Sequence, residues 1–137
     1  MEKPDILEAV IYASDLPAAE VFYTRLLGTA PHATVDGRHV FYKLAHQMLL
    51  IFNPAATLKA PDGPLPVPPH GAEGQGHVCF AARGADGIEA WRRHLSGMGV
   101  AIESDFEWPQ GGRSIYFRDP AGNSVEVAEP RIWGFDA

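Results

Sequence analysis

Two periodicities divide this chain. Ile6–Ala13 alternates, with Leu7, Ala9 and Ile11 on one face and Glu8, Val10 and Tyr12 on the other, as a strand requires. Helical spacing follows, in Leu16, Ala19, Val21 or Phe22, and Leu26. Ser14 or Asp15 stands where a cap is needed, Pro17 falls in the first turn, and Gly28 closes the helix after Arg25. Strands are then expected at about Ala33–Val35, Arg38–Leu44 and Gln47–Phe52, with Asp36-Gly37 turning the first pair. The order then recurs. His77–Ala82 reads as a strand, and Asp86 opens a helix over about Gly87–Met98 with Ile88, Trp91, Leu95 and Met98 on its apolar stripe. Val100–Phe106 is the next strand and Trp108–Gly112 a turn. A hairpin, Ile115–Arg118 and Ser124–Ala128, folds around Asp119–Asn123. In that turn Pro120 fixes φ, and Gly122 and Asn123 are the residues expected to take φ > 0.

Each half therefore reads strand, helix, three strands. The pattern predicts an α+β fold of two βαβββ modules, forming a curved mixed sheet with helices on the outer face and a concave inner face. Module one covers about 5–54 and module two about 76–130, within one domain over 1–137. Between them, residues 53–75 hold six of the twelve prolines (Pro54, Pro61, Pro64, Pro66, Pro68 and Pro69) and no strand pattern. Such stiffness favours an ordered arm over a floppy tether.

Composition narrows the partners. At 137 residues the chain is long enough for one real core. A formal net charge of −6 argues against nucleic acid or an anionic membrane surface. No apolar run approaches the roughly 20 residues that span a bilayer. The start, Met1-Glu-Lys-Pro-Asp5, lacks a basic segment followed by an apolar one, so a cytoplasmic location is expected. Cys79 is the single cysteine, which excludes an internal disulfide and a cysteine-rich zinc site.

Glu126 is the residue the pattern does not explain. It lies between Val125 and Val127, a carboxylate in the middle of an apolar strand. Glu8 and His77 each stand early in the first strand of a half. Alternation can send all three to the concave face, where one imidazole and two carboxylates suit a divalent first-row metal with open positions. From spacing alone, the plain alternatives stand beside this reading: a solvated carboxylate, a hydrogen-bonded strand histidine and an ion-paired carboxylate.

Four stretches carry a resemblance. They are Ser14-Asp15-Leu16 with Glu20-Val-Phe-Tyr23 and Leu26-Leu-Gly28, then Gly76-His-Val-Cys-Phe80, then Tyr116-Phe-Arg-Asp-Pro-Ala-Gly-Asn123, then Val125-Glu-Val127. In this order and spacing, over nearly the whole chain, the sequence resembles the vicinal oxygen chelate superfamily, the glyoxalase/bleomycin resistance/extradiol dioxygenase group. The resemblance implies a divalent metal held by Glu8, His77 and Glu126, with zinc, nickel, manganese, cobalt and iron not distinguished. It implies a homodimer with sites shared between subunits, Glu8 of one meeting His77 and Glu126 of the other. Two departures sort the chemistry. Many members have histidine at the first position, where Glu8 stands. The position at which glyoxalase I carries another glutamate is Leu49 or Leu50. Extradiol dioxygenation, which uses two histidines, is disfavoured, and lactoylglutathione lyase proper is doubtful.

The expected function is a glyoxalase-like metal-dependent enzyme acting on a small molecule with vicinal oxygens, a lyase or isomerase rather than a dioxygenase. The alternative is a non-catalytic dimeric drug-binding protein of the bleomycin-resistance type. Glu126 and Glu8 are the candidate catalytic carboxylates. Tyr116, Tyr12, Val10, Cys79, Phe52 and Trp108 are the candidate substrate-lining residues, Cys79 as a wall residue rather than a nucleophile. His70, at the end of the arm, reads as a surface histidine before it reads as a lid.

Overall fold

The computed structural model describes residues 2–135. Met1, Asp136 and Ala137, the outer ends of the expected 1–137 domain, lie outside the described residues. The chain divides into two compact units, Met1–Gly74 and Gln75–Ala137.

In the first unit, strand β1 (Glu8–Tyr12) leads into helix α1 (Leu16–Leu27). Asp15 is the residue that caps α1, its carboxylate accepting from the Ala18 N–H at 3.1 Å. Gly28 ends the helix with φ 66°, a left-handed conformation that only glycine adopts without strain. Strands β2 (Ala33–Val35), β3 (His39–Lys43) and β4 (Met48–Phe52) follow. The sheet order is β1-β4-β3-β2, with β1 parallel to β4 and the other pairs antiparallel. The buried side chains Leu16, Ala19, Tyr23 and Leu26 of α1 and Ile11, Val40, Tyr42, Leu49 and Ile51 of the strands form the core. Tyr42 shows how the helix is seated: its hydroxyl reaches Thr24 Oγ1 at 2.9 Å and donates to the Glu20 carbonyl at 3.1 Å. Because β1 and β4 alternate, Glu8, Val10, Tyr12, Leu50 and Phe52 share the opposite face.

The arm begins with a short helix, α2 (Pro54–Thr57), capped by Asn53. It is tied at its far end as well: the His70 N–H donates to the Thr57 carbonyl at 2.9 Å.

The second unit repeats the plan with β5 (His77–Ala81), α3 (Gly87–Gly97), β6 (Ser104–Glu107), β7 (Arg113–Arg118), β8 (Ser124–Ala128) and a 3-10 turn, Pro130–Trp133. Its order is β5-β8-β7-β6, again with the first pair parallel. The two βαβββ modules are thus both present, each with its own four-stranded mixed sheet. Strand β6 starts later than the expected Val100. Gly99, at φ 72°, and Val100 close α3 instead, donating to the Ser96 and Leu95 carbonyls, so their backbone is spent on the helix exit. Asp86 occupies the cap position of α3 but its side chain makes no capping bond.

The turn Asp119–Asn123 corrects a second expectation. Gly122 takes φ 84°, and no non-glycine residue among those described has positive φ. Asn123 is there for its side chain. It is 1% exposed. Its Nδ2 donates to Asp119 Oδ2 at 2.9 Å, and its Oδ1 accepts from the Gly76 N–H at 2.7 Å. Asp119 Oδ1 in turn accepts from the Ala121 and Asn123 N–H groups. The turn therefore grips the residue immediately before β5, which fixes where His77 enters the sheet.

Candidate functional site

Strand register assembles the site in the second unit. Cys79 lies opposite Glu126 in the parallel pair, and Tyr116 lies opposite Glu126 in the antiparallel pair. His77 is two residues before Cys79, and Ser114 two before Tyr116, so alternation places all five on one face. The opposite face carries the buried Ile115, Phe117, Val125 and Val127.

His77 is oriented by its Nδ1, which lies 2.9 Å from the Ser124 carbonyl oxygen. A carbonyl only accepts, so Nδ1 carries the proton. The ring's Nε2 faces Glu126 Oε1 at 3.3 Å. A single proton shared between the pair, or a cation bound by both, satisfies the two atoms at this distance. The donor chemistry fits a divalent first-row metal, with the Nδ1–H bonded to backbone as metal-binding histidines commonly are. It supplies two ligands only. Glu8 belongs to the first unit, and among the described residues no group of three or more His, Cys, Asp and Glu is gathered to hold a metal.

Glu126 is 6% exposed and its other oxygen is occupied. Ser114 Oγ donates to Oε2 at 2.6 Å, and Trp108 Nε1 donates to Ser114 Oγ at 2.8 Å. Trp108 is held at the mouth of its turn by its own N–H, which reaches the Gly112 carbonyl at 2.8 Å. Gly112 sits at φ 92°, with Ile132 Cγ2 only 2.5 Å from where a Cβ would be, so no larger residue fits there. Ser114 was not among the candidate residues. Its signal is its place in the alternation, on the face of Tyr116 in the strand beside Glu126.

Tyr116 stacks between Phe106, at 5.9 Å and 7°, and His77, at 6.3 Å and 23°. Desolvation, then the Glu126 charge and a hydrogen bond to that carboxylate, hold its phenol above the ordinary value, so it stays a protonated donor. Desolvation, the Glu126 charge and a hydrogen bond to Glu126 likewise push the Cys79 thiol up to about 12. The group is therefore a neutral thiol near neutral pH.

In the first unit Glu8 is exposed at the start of β1, opposite Met48, and Val10 is 40% exposed, opposite Leu50. The Val10–Leu50 pair takes the same rung in its module as Cys79–Glu126 in the other. Leu50, not Leu49, is therefore the counterpart of Glu126, since Leu49 packs towards α1. Tyr12 and Phe52 lie opposite one another at the end of the same face. His70 joins them from the arm, with Nδ1 2.7 Å from the Tyr12 hydroxyl and its ring 4.7 Å from that of Phe52. It is half-buried, and its work is to hold the arm to the sheet rather than to face water. His39 and Phe41 extend this aromatic cluster, stacked at 3.8 Å and 7°.

A cavity of about 260 Å³ opens elsewhere, at the start of α3, beside Gly87, Ile88, Arg113 and Arg131. No candidate residue lines it, and both arginines are already paired, with Asp105 and Glu129.

Residues 5–127 match the model of the Glyoxalase/Bleomycin resistance protein/Dioxygenase superfamily. The chain belongs to this superfamily. Among solved structures of the superfamily type, it is similar to a lactoylglutathione lyase from Agrobacterium tumefaciens, at 41% identity, covering 98% of this chain and 100% of that one, with a TM-score of 0.90. A glyoxalase/bleomycin resistance protein from Catenulispora acidiphila shares the fold at 22% identity, 90% and 96% coverage and TM-score 0.65. An integron cassette protein from V. cholerae does so at 22% identity, 95% and 98% coverage and TM-score 0.68. Among curated proteins, none matches the sequence. No helix among the described residues is long and apolar enough to cross a membrane.

Proposed function

We propose that this chain is a glyoxalase-like, metal-dependent lyase or isomerase acting on a small molecule that presents neighbouring oxygens. The observation that carries the proposal is the approach of His77 Nε2 to Glu126 Oε1 at 3.3 Å, an imidazole nitrogen and a carboxylate oxygen on one strand face with Nδ1 already committed to the Ser124 carbonyl. The likeness to a lactoylglutathione lyase supports the reaction class. In this reading Glu8 of a second copy supplies the third ligand, and a homodimer holds two shared sites. The single cysteine suits a reducing compartment, and we place the protein in the cytoplasm on that ground.

Zinc, nickel, manganese, cobalt or iron would fit the ligand set and, when bound, would supply Lewis-acid stabilisation of charge developing on a substrate oxygen. The chain's own groups divide the rest. His77 is locked in the tautomer that offers Nε2. Glu126 keeps Oε2 on Ser114, leaving Oε1 to ligate or to take a substrate proton, a task that Glu8 of the second copy can also perform. Tyr116, a retained phenol, donates a hydrogen bond to substrate or carboxylate. Cys79 and the ring of Trp108 would offer thiol and apolar wall on the face of the second unit, and Val10, Tyr12 and Phe52 lie on the corresponding face of the first. Leu50, standing where a fourth ligand would be, leaves one more position for substrate oxygen and favours a substrate other than that of lactoylglutathione lyase proper.

The test is elemental analysis of purified protein for the wild type, His77→Ala and Glu126→Ala. Near-stoichiometric divalent metal in the wild type, lost in both variants, is the expected result. Folded wild type that holds no metal and instead binds an aromatic cationic drug would replace this reading with the drug-binding one.

A further inference from the structure

We infer that Ser114, itself held by Trp108, is the positioning residue that divides the two oxygens of Glu126, committing Oε2 to the protein and Oε1 to the ligand site. The inference rests on the proposed metal site and assigns it a supporting group that the reaction class does not specify. The direction of the hydrogen bonds is forced. An indole N–H only donates, so Ser114 Oγ must accept from Trp108. The serine has one proton, and at 2.6 Å from Oε2 that proton goes to the carboxylate. The length lies in the range of charge-assisted O–H···O⁻ bonds. Ser114 is completely buried, so no water competes for its hydroxyl.

The consequence is geometric. A free carboxylate can grip a cation through both oxygens or swing between them. Here Oε2 is tied to β7 through a serine that the Trp108–Gly112 turn locks, Oε1 lies 3.3 Å from His77 Nε2, and Tyr116 and Cys79 also hydrogen-bond the carboxylate. The site is thereby built for one-oxygen ligation by Glu126, with the remaining positions kept for the second copy's Glu8 and for substrate. Outer partners of this kind are worth about 10–100-fold in metal affinity.

The probe is Co²⁺ titrated into metal-free full-length protein, read by calorimetry and by the visible absorption of the bound ion. Four proteins are compared: wild type, Ser114→Ala, Ser114→Thr and Trp108→Phe. Ser114→Ala should weaken Co²⁺ binding by about 10–100-fold and change the visible spectrum as the carboxylate turns to bind through both oxygens. Ser114→Thr, which keeps the hydroxyl, should restore the spectrum. Trp108→Phe, which keeps a ring and removes the N–H, should fall between. A merely structural serine would lower the melting temperature of Ser114→Ala and leave the cobalt spectrum as in the wild type, which would overturn the inference. Should Ser114→Ala not fold, an unchanged affinity and spectrum in Trp108→Phe would overturn it equally. Wild type that takes up no Co²⁺ would remove the metal reading itself, and the inference with it.

Discussion

Replacing Asn123 by glycine separates two explanations of the Asp119–Asn123 turn. If the residue serves only to tolerate positive φ, glycine is as good or better. If its side chain is the clamp, glycine removes two hydrogen bonds, Gly76 N–H to Oδ1 at 2.7 Å and Nδ2 to Asp119 Oδ2 at 2.9 Å. The first is a neutral bond whose donor regains water, since Gly76 is exposed, so its loss costs about 1 kcal/mol. The second involves a carboxylate in a residue 5% exposed, and losing it costs about 1.5–3 kcal/mol. Added backbone freedom in the unfolded chain brings a further loss of about 0.5–1 kcal/mol. Asn123→Gly should therefore destabilise the protein by about 3–5 kcal/mol, and Asn123→Ala by slightly less. Urea unfolding followed by tryptophan fluorescence and far-UV circular dichroism reads the difference as a shift in midpoint at constant slope. A glycine variant within about 0.5 kcal/mol of wild type, the size of an ordinary surface substitution, would refute the clamp.

Two further outcomes follow from the first unit. Burial, then the Arg38 charge, lowers the His39 pKa below its ordinary 6.5, and its Nδ1 is buried without a partner. Below pH 6.5 the unfolded chain therefore binds a proton that the folded chain resists, so stability falls as pH drops from 6.5 towards the folded value. His39→Phe, which keeps the stack on Phe41, should flatten that part of a urea-midpoint profile, and an unchanged slope would contradict the assignment. Tyr12→Phe removes the hydrogen bond to His70 Nδ1 and should cost about 0.5–1.5 kcal/mol. Limited proteolysis should show the arm at 58–69 opening faster, and cleavage at the wild-type rate would show that His70 is anchored otherwise.

Much of this architecture was legible in period alone. Glu8–Tyr12 and Ser124–Ala128 alternate in sequence, and Ile11, Val125 and Val127 are buried on the helix-facing side, while in Ser124–Ala128 the other face is buried as well, at Glu126 and Ala128. The α1 boundaries followed from Asp15 and Gly28, whose roles are local. Strand β6 was misplaced because Val100 is a good strand residue, and nothing local reveals that its N–H closes α3. Asn123 was misread because its fold-specific partner, Gly76, is 47 residues away. In the site, the pairing of His77 with Glu126 and of Tyr116 with Glu126 follows from counting register across two strands. Ser114 stayed hidden because a serine on a strand carries no chemical signature until its neighbours Trp108 and Glu126 are known. The hold of His70 on Tyr12 was likewise out of reach, since it spans 58 residues of chain.

The central claim is that His77 and Glu126 form part of a metal site completed by Glu8 of a second copy. Subunit mixing tests it directly. Glu8→Ala and Glu126→Ala are each prepared metal-free, mixed, allowed to exchange subunits, and analysed for bound divalent metal after dialysis. Each variant alone should stay metal-poor. A mixed dimer carries one intact site, in which the Glu126→Ala chain supplies Glu8 and the Glu8→Ala chain supplies His77 and Glu126. With random exchange the mixture should recover about one quarter of the wild-type metal. Recovery of none, after exchange has been verified with differently tagged chains, would contradict a site shared between subunits.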